Sequence, residues 1–320
     1  MRFGNFKYVF RASHWLKIVF LCLCAGPVTL AAQDSERLNK AIELLENNQP
    51  AFGVLSFDYS LTNARVLARS GLDFVIIDME HSPFDPERVR EFLLGMTDKR
   101  EILAKGSLQP EVVPFIRIPA IGAEDVLSQA KQVLDLGVFG VMYPAINTRA
   151  ETEMAVRATR YPQSNGAEDL EPRGLRGVNP SNAMWYWGVN DYMSRADVWP
   201  LDPQGELLAI IQIETPEAVE NIDEIISVPG VGVIFIGPSD LSRSMGYTNA
   251  AEPEVESAIQ TVLAACLATD VPCAITTSRN SVQSRIQEGF RFVTVGTDMG
   301  LSGPTVEALD RGREAGGRSQ

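Results

Sequence analysis

The chain has 320 residues and a formal net charge of −13, and 45% of its residues are hydrophobic. A chain this acidic is a poor candidate for binding nucleic acid or an anionic membrane surface, and its length fits one large domain or two small ones. Its two histidines are His14 and His81, and His14 lies in a leader-like N-terminus. A zinc centre built on two or three histidines is therefore excluded from the remainder of the chain.

The N-terminus has the pattern of a secretory signal. Residues 1–17 carry four basic side chains and no acidic one, and residues 18–32 form an apolar run that ends in small residues. We expect residues 1–32 to be a signal peptide, cleaved after Ala31 or Ala32, and the protein to be periplasmic or secreted. An uncleaved anchor and a misassigned start codon are the alternatives. Loss of the four basic residues would change the net charge from −13 to −17, which favours a mature protein without a membrane partner.

Eight short apolar runs rich in Val, Ile and Phe occur along the rest of the chain. Such runs are typical of parallel strands that are covered on both faces. We predict strands at 52–57, 74–79, 113–119, 138–145, 207–214, 232–238, 272–277 and 290–298.

Amphipathic segments between these runs predict helices at 62–70, 86–97, 123–136, 149–160, 216–226, 254–269, 281–289 and 304–313. Pro216 after Thr215 is a good helix start, because a capping residue precedes proline at the first helical position. Eight strand–helix pairs in series predict an α/β fold, a single (β/α)8 TIM barrel over residues 33–320. The alternative is a doubly wound open sheet, which is disfavoured because no Gly-rich dinucleotide loop follows the first strand.

Residues 161–204 form the one long irregular stretch and contain Trp185, Trp187 and Trp199. A segment this long inside a domain is usually a lid, an interface or a partial helix. Its aromatic density favours a buried interface or a substrate-side wall, and simple packing on the barrel is an equal alternative.

Two cysteines, Cys266 and Cys273, lie beyond the leader. In an exported protein they could pair, but Cys266 lies on an apolar helix face and Cys273 opens an apolar strand. Since free cysteine is among the most buried residue types, two buried thiols are favoured over a disulfide.

Polar residues close four of the predicted strands. In a barrel of this kind, active-site residues lie at the carboxyl ends of the strands, whereas scattered surface charges would not share one end of four strands. These residues are Asp78, Glu80 and His81 on the second strand, Arg117 on the third, Gln212 and Glu214 on the fifth, and Ser239 and Asp240 on the sixth.

Glu214 and Asp240 are carboxylates on adjacent predicted strands. Without a second histidine nearby, they predict an all-oxygen site for Mg²⁺, Mn²⁺ or Co²⁺. The alternative is that each carboxylate is a helix cap or a salt-bridge partner, and Asp240 in particular could cap a helix at 241–245.

Arg117 lies in a buried strand and therefore needs a fixed anionic partner. Asp78, Glu80 and a substrate oxyanion are the candidates. His81 follows Glu80 directly and could be oriented by a carboxylate for acid–base work. The alternative is a partly exposed loop histidine without a role.

The distribution of lysine also restricts the chemistry. No lysine lies on a predicted strand, and none follows Lys131. A Schiff-base aldolase needs an amine inside the barrel, so carbanion chemistry here would need a metal to accept the developing charge.

These residues resemble the HpcH/HpaI aldolase family, metal-dependent pyruvate aldolases of the phosphoenolpyruvate/pyruvate barrel superfamily. The similar stretches keep the family order and span residues 50 to 305. They are FVIIDMEH (74–81), FIRIP (115–119), QVLDLG (132–137), RGLRG (173–177), IQIET (211–215), FIGPSDLS (235–242), MGY (245–247) and VGTD (295–298).

The resemblance implies roles for the residues on strands five and six. Glu214 and Asp240 would hold the divalent metal. The backbone amides of Ser239 and Asp240 would bind the carboxylate of pyruvate, and Gln212 would lie beside the metal or the substrate.

The resemblance also implies roles for residues on strands two and three. Arg117 would stabilise the enolate oxygen and the aldehyde. His81, held by Asp78 or by Asp135 from a neighbouring subunit, would move the proton.

The implied activity is that of a class II aldolase, a carbon–carbon lyase of the aldehyde-lyase type. It would cleave a 4-hydroxy-2-oxo acid into pyruvate and an aldehyde through a metal-stabilised enolate, and it would assemble as a homo-oligomer, a trimer or hexamer. One alternative is a citrate- or malyl-CoA-type lyase, which the lack of a basic CoA-phosphate patch disfavours. The other is a non-catalytic exported oxo-acid-binding protein, against which the retained His81 and Arg117 argue. Residues 163–171 and 276–280 depart from the family pattern and leave the aldehyde undefined.

Overall fold

The computed structural model describes residues 36–119, 126–168, 171–298, 301 and 303–318. The predicted signal peptide lies outside the described residues. Eight parallel strands follow one another in sequence order around a closed barrel. They are β1 (Ala51–Ser56), β2 (Phe74–Asp78), β3 (Val113–Arg117), β4 (Gly140–Tyr143), β5 (Leu208–Ile213), β6 (Val231–Ile236), β7 (Cys273–Thr276) and β8 (Phe292–Thr297). The predicted (β/α)8 barrel is confirmed, and the open-sheet alternative is wrong because β1 pairs with β8.

The strands are apolar on both faces because one face fills the barrel and the other supports the helices. Inside the barrel, the rings of Phe74 and Phe292 stack with centroids 3.9 Å apart, and Phe115 packs edge-on 6.1 Å from Phe74. A Cβ atom on Gly53 would lie 2.2 Å from the Phe74 ring. Glycine on β1 therefore makes room for this aromatic layer.

Helices follow each strand and surround the barrel. None of the described helices is both long and apolar enough to cross a bilayer. The helices are α1 (Lys40–Glu46), α2 (Leu61–Leu67), α3 (Pro86–Met96), α4 (Lys99–Lys105), α5 (Val126–Leu134), α6 (Arg149–Thr159), α7 (Ser181–Trp187), α8 (Tyr192–Arg195), α9 (Pro216–Glu220), α10 (Ile222–Ile226), α11 (Pro238–Ser244), α12 (Pro253–Thr269), α13 (Val282–Glu288) and α14 (Pro304–Ala315).

The helix predicted at 216–226 begins as expected but is divided in two. The side chain of Thr215 accepts a hydrogen bond from the Ala218 N–H and caps α9. Asn221 then ends α9 and precedes α10, while its side-chain amide donates to the backbone carbonyl of Asn147 at 2.9 Å. An asparagine side chain that bonds elsewhere favours such an interruption.

The long segment 161–204 contains the short helices α7 and α8 and packs at the amino-terminal end of the barrel. The Trp187 ring stacks on Phe139 with centroids 4.5 Å apart, and its indole N–H donates to the Gly137 carbonyl at 2.7 Å. Both of those residues precede β4, so Trp187 packs on the barrel and does not form the predicted substrate-side wall; the predicted interface stays a prediction. Trp185, in contrast, is 81% exposed.

Cys266 on α12 and Cys273 on β7 are buried and unpaired. The prediction of two buried thiols is therefore confirmed. Burial is the main cause that raises the pKa of the Cys273 thiol, and the neighbouring Cys266 adds to it, so Cys273 is a poor nucleophile.

Candidate active site

A cavity of about 140 Å³ opens at the carboxyl ends of the strands. Two further predicted site residues, Glu214 and Asp78, lie directly behind the cavity wall. Glu214 accepts a hydrogen bond from Gln212, and Asp78 accepts one from Arg117. The structure thus gathers the predicted residues of all four strands. The side chains on the wall include those of His81, Arg117, Gln212, Ser239, Asp240, Thr276, Leu55, Met142 and Phe235.

Arg117, the last residue of β3, is held in one orientation by two carboxylates. Its Nε donates to Asp78 Oδ1 at 3.0 Å and its Nη2 to Asp78 Oδ2 at 2.6 Å. The remaining nitrogen, Nη1, lies 2.9 Å from Glu80 Oε2. Arg117 and Asp78 are register partners on β3 and β2, so the strand pairing itself sets up the bidentate contact. A planar guanidinium fixed in this way has a permanent charge and a defined direction.

The Asp78 carboxylate also shapes the loop that carries His81. Its Oδ1 accepts from the backbone N–H groups of Glu80 at 2.9 Å and His81 at 3.4 Å. The imidazole faces Glu80 instead, with 3.6 Å between His81 Nε2 and Glu80 Oε2, and the His81 side chain is 56% exposed. The resemblance implies that Asp78 or a neighbouring subunit's Asp135 holds the imidazole. In the structure Asp78 does not contact it, because the Asp78 oxygens are engaged by Arg117 and the loop amides.

Glu214 follows β5 and is only 7% exposed. Its Oε1 accepts from the Ala145 backbone N–H at 2.7 Å, and its Oε2 accepts from Gln212 Nε2 at 2.5 Å. Burial is the main cause that raises the pKa of Glu214 from 4.5 to about 7, and the charges of Glu80 and Asp240 add to this while the Ala145 N–H opposes it. A cation that enters the cavity would therefore stabilise the charged form of the Glu214 carboxylate.

Asp240 lies in the first turn of α11 and does not cap the helix. The helix begins at Pro238 and its N-cap residue is Gly237, which has no side chain to accept a capping hydrogen bond. The alternative that Asp240 caps a helix at 241–245 is therefore wrong. The N–H groups of Ser239 and Asp240 belong to the first turn, where a helix offers no internal acceptor. They are therefore available to an anion at the cavity wall.

The donor set fits a hard divalent cation. Burial is the main cause that raises the pKa of Glu80 and of Glu214, and the negative charge of Asp240 raises both further. A Cβ atom on Gly237 would lie 3.2 Å from Glu214 Oε2, so glycine keeps the carboxylate accessible. Within the described residues no group of three or more His, Cys, Asp or Glu side chains is arranged to hold a metal. Mg²⁺ needs only one or two carboxylates, because water and substrate oxygens complete its shell.

The sequence matches the profile of the HpcH/HpaI aldolase/citrate lyase family over residues 58–303. The chain belongs to this family. A 5-keto-4-deoxy-D-glucarate aldolase from Salmonella arizonae is 33% identical over 266 residues, which are 82% of this chain and 92% of that protein. Together with the family match, this makes the chain an enzyme, a carbon–carbon lyase of the aldehyde-lyase type.

Two solved structures superpose on the barrel. A family protein from Burkholderia cenocepacia J2315 has a TM-score of 0.67 at 28% identity, and the alignment covers 86% of this chain and 96% of that one. The citrate synthase SbnG has a TM-score of 0.63 at 25% identity, with 82% and 92% covered.

One predicted site residue of this HpcH/HpaI chain lies away from the cavity. Asp135 follows α5 at the amino-terminal end of the barrel, where its Oδ1 accepts from Arg176 Nη2 at 3.0 Å. Within one chain Asp135 therefore does not meet His81. Its contribution to the site of a neighbouring subunit stays a prediction.

The hydrogen bonds around the β1–α2 loop had no signal in the sequence. Asp298 Oδ2 accepts from Ser56 Oγ at 2.6 Å and from Asn63 Nδ2 at 2.9 Å, which ties the end of β8 to the loop. The same loop carries Tyr59, whose hydroxyl donates to the backbone carbonyl of Asp78 at 2.5 Å. Asp298 lies in the family-like stretch VGTD, but its partners are more than 230 residues away and could not be read from spacing.

Proposed function

We propose that the chain is a divalent-metal-dependent aldolase that cleaves a 4-hydroxy-2-oxo acid into pyruvate and an aldehyde. The observation that carries the proposal is the contrast within one cavity. Arg117 is fixed by Asp78 and Glu80, whereas Glu214 and Asp240 form no ion pair within the described residues. The cavity therefore combines a rigid cation for an oxyanion with two carboxylates that can hold a metal.

The carboxylates of Glu214 and Asp240 would hold Mg²⁺, Mn²⁺ or Co²⁺. When bound, such an ion supplies Lewis-acid polarisation of the 2-oxo group. The first-turn N–H groups of Ser239 and Asp240 would bind the carboxylate of the oxo acid, as helix N-termini commonly bind anions. Gln212 keeps Glu214 in place by donating to its Oε2.

Arg117 and His81 would carry out the bond cleavage. His81 takes the proton of the 4-hydroxyl group as the C3–C4 bond breaks, so that C4 leaves as the aldehyde and C3 keeps the electron pair. Arg117 donates to the oxyanion that develops, in an orientation already set by Asp78 and therefore without reorganisation. Protonation of C3 then gives the methyl group of pyruvate, and the exposed imidazole can exchange its proton with water.

The test is hydrogen exchange at the methyl group of pyruvate in heavy water, followed by NMR with Mg²⁺ or Mn²⁺ and with EDTA. The experiment needs no assumption about the aldehyde. We expect exchange that stops with EDTA and in Glu214→Ala, and that falls in His81→Ala. Glu217→Ala is the matched control, because Glu217 is an exposed glutamate one turn further along the chain.

Absence of exchange with any metal, in folded protein that still binds pyruvate, would contradict the proposal. It would favour a thioester lyase or an oxo-acid-binding protein instead. Unchanged exchange in Glu214→Ala would place the chemistry at another group.

A further inference from the structure

Ala145, which follows Pro144 after β4, has a backbone conformation that alanine rarely adopts. Its φ angle is 54°, in the left-handed region. The other described non-glycine residues with positive φ are Asn48 and Asp270, whose side chains tolerate this region far better. An alanine there persists only where its surroundings hold it, and such strain clusters at functional sites.

The left-handed conformation directs the Ala145 N–H toward Glu214. This N–H donates to Glu214 Oε1 at 2.7 Å, and Gln212 Nε2 donates to Oε2. Each carboxylate oxygen is thus anchored by one donor and keeps a second lone pair for another ligand. The plane of the carboxylate is fixed before any ligand arrives.

The side chain of Asn147 links the residues on both sides of this contact. Its Nδ2 donates to the Ala145 carbonyl at 3.1 Å, and its Oδ1 accepts from the Thr215 hydroxyl, next to Glu214. Because a carbonyl can only accept, the Asn147 atom facing Ala145 is the amide nitrogen. Asn221 Nδ2 in turn donates to the Asn147 backbone carbonyl at 2.9 Å, which connects Asn147 to the end of α9, the helix after β5.

We propose that Asn147 is a positioning residue for the metal-binding carboxylate of Glu214. By holding Ala145 in its strained conformation and bonding Thr215, Asn147 keeps the end of β4 in register with the end of β5. Residues that hold a metal ligand in place orient it, and their mutation typically changes metal affinity 10- to 100-fold. The inference rests on the proposed metal site, and the experiment separates the two.

The test measures Mn²⁺ binding to the full chain without substrate, from the electron paramagnetic resonance signal of free Mn²⁺. Asn147→Leu removes both side-chain hydrogen bonds at similar volume, and we expect it to weaken Mn²⁺ binding about tenfold. Asn182→Leu is the matched control, because Asn182 is exposed on α7 at the other end of the barrel; its Mn²⁺ affinity should equal that of the wild type.

A rescue variant separates positioning from general destabilisation. Glycine adopts the left-handed conformation without steric strain, so Ala145→Gly no longer needs Asn147 to hold it. We expect Ala145→Gly to restore most of the Mn²⁺ affinity in the Asn147→Leu background. If Asn147→Leu weakened Mn²⁺ binding only through poor folding, Ala145→Gly would restore thermal stability without restoring the Mn²⁺ affinity.

The outcomes are distinct. Wild-type affinity in Asn147→Leu, or an Asn147→Leu/Ala145→Gly double variant no better than Asn147→Leu, would overturn the role of Asn147. Equal Mn²⁺ binding by the wild type and Glu214→Ala would instead overturn the proposed metal site.

Discussion

Asp73 and Glu214 are buried carboxylates at opposite ends of the barrel, and their surroundings shift their pKa values in opposite directions. At the amino-terminal end, Asp73 is fully buried, and Arg318 Nη2 donates to it at 2.9 Å while Lys40 Nζ lies 3.4 Å away. Burial acts to raise the pKa of Asp73, but Arg318 and Lys40 outweigh it and lower that pKa. At the carboxyl end, Glu214 is almost as buried, and its pKa is raised to about 7.

This difference separates stability from function. At the amino-terminal end the buried Glu206 is likewise paired with a basic residue, Arg195, and the partly buried Asp197 and Asp135 pair with Arg160 and Arg176. At the carboxyl end Arg117 pairs with Asp78 and Glu80, and within the described residues neither the buried Glu214 nor the exposed Asp240 forms an ion pair. A buried carboxylate without an ion-pair partner, as Glu214 is within the described residues, costs stability, and a site that retains it is complementary to a cation that binds later.

The largest expected effect is on catalysis at the carboxyl end. Arg117→Lys keeps the charge but loses the bidentate contact with Asp78, so the oxyanion donor is no longer held in place. We expect pyruvate methyl exchange to fall by about 10² to 10³, the usual loss for a preorganised oxyanion donor. The equivalent change at the other end, Arg318→Lys, should leave the rate within a few fold. Comparable rates in both variants would contradict the distinction between the ends.

The second effect is on stability at the amino-terminal end. Arg318→Met leaves Asp73 buried with only the more distant Lys40, so we expect the free energy of unfolding to fall by about 3 kcal/mol. Urea denaturation measures this loss. Pyruvate exchange per folded molecule should be unchanged below the transition, and a large fall in that rate would show that the two ends are coupled.

The pattern of the sequence was sufficient for the barrel because its strands are continuous apolar runs and its helices are amphipathic. The short helices α7 and α8 were missed, since they bury few residues and their place depends on Trp187 packing against Phe139. Strand-end polarity likewise indicated the Glu214 and Asp240 carboxylates.

What the sequence could not indicate depends on contacts between distant parts of the chain. It left the partner of Arg117 open between Asp78, Glu80 and a substrate oxyanion, and in the structure Arg117 pairs with both carboxylates. Asp298 braces a loop that is far away in the chain. The strain at Ala145 belongs to the backbone, and no residue-type pattern records it.

The third effect is a pH dependence of stability that comes from Glu214 at the carboxyl end. Folded Glu214, with a pKa of about 7, binds its proton more tightly than the unfolded chain, where the pKa is 4.5. Without metal, its stabilising contribution is complete below pH 4.5 and is lost as the pH rises through 7, a decrease of at most about 3 kcal/mol.

Urea denaturation in EDTA across this pH window tests the third prediction. Glu214→Gln cannot titrate and should flatten the decrease. Saturating Mn²⁺ should oppose it, because the ion binds the charged carboxylate. An unchanged pH profile in Glu214→Gln would assign the proton to another group.

The smallest expected effect comes from one hydroxyl group near the cavity. Burial is the main cause that raises the pKa of Tyr59 to about 12, so its hydroxyl remains a donor to the Asp78 carbonyl. Tyr59→Phe removes this hydrogen bond, worth about 1 kcal/mol, and loosens the loop that carries His81. We expect kcat for pyruvate exchange to fall about fivefold with KM nearly unchanged, because in the proposed mechanism this loop holds the proton-transfer group, whereas pyruvate is bound by other residues. Tyr186→Phe, at the amino-terminal end, is the control. An equal fall in its kcat would mean that loss of a buried hydroxyl at either end of the barrel slows the enzyme, so that the effect of Tyr59→Phe is not specific to the loop at the site.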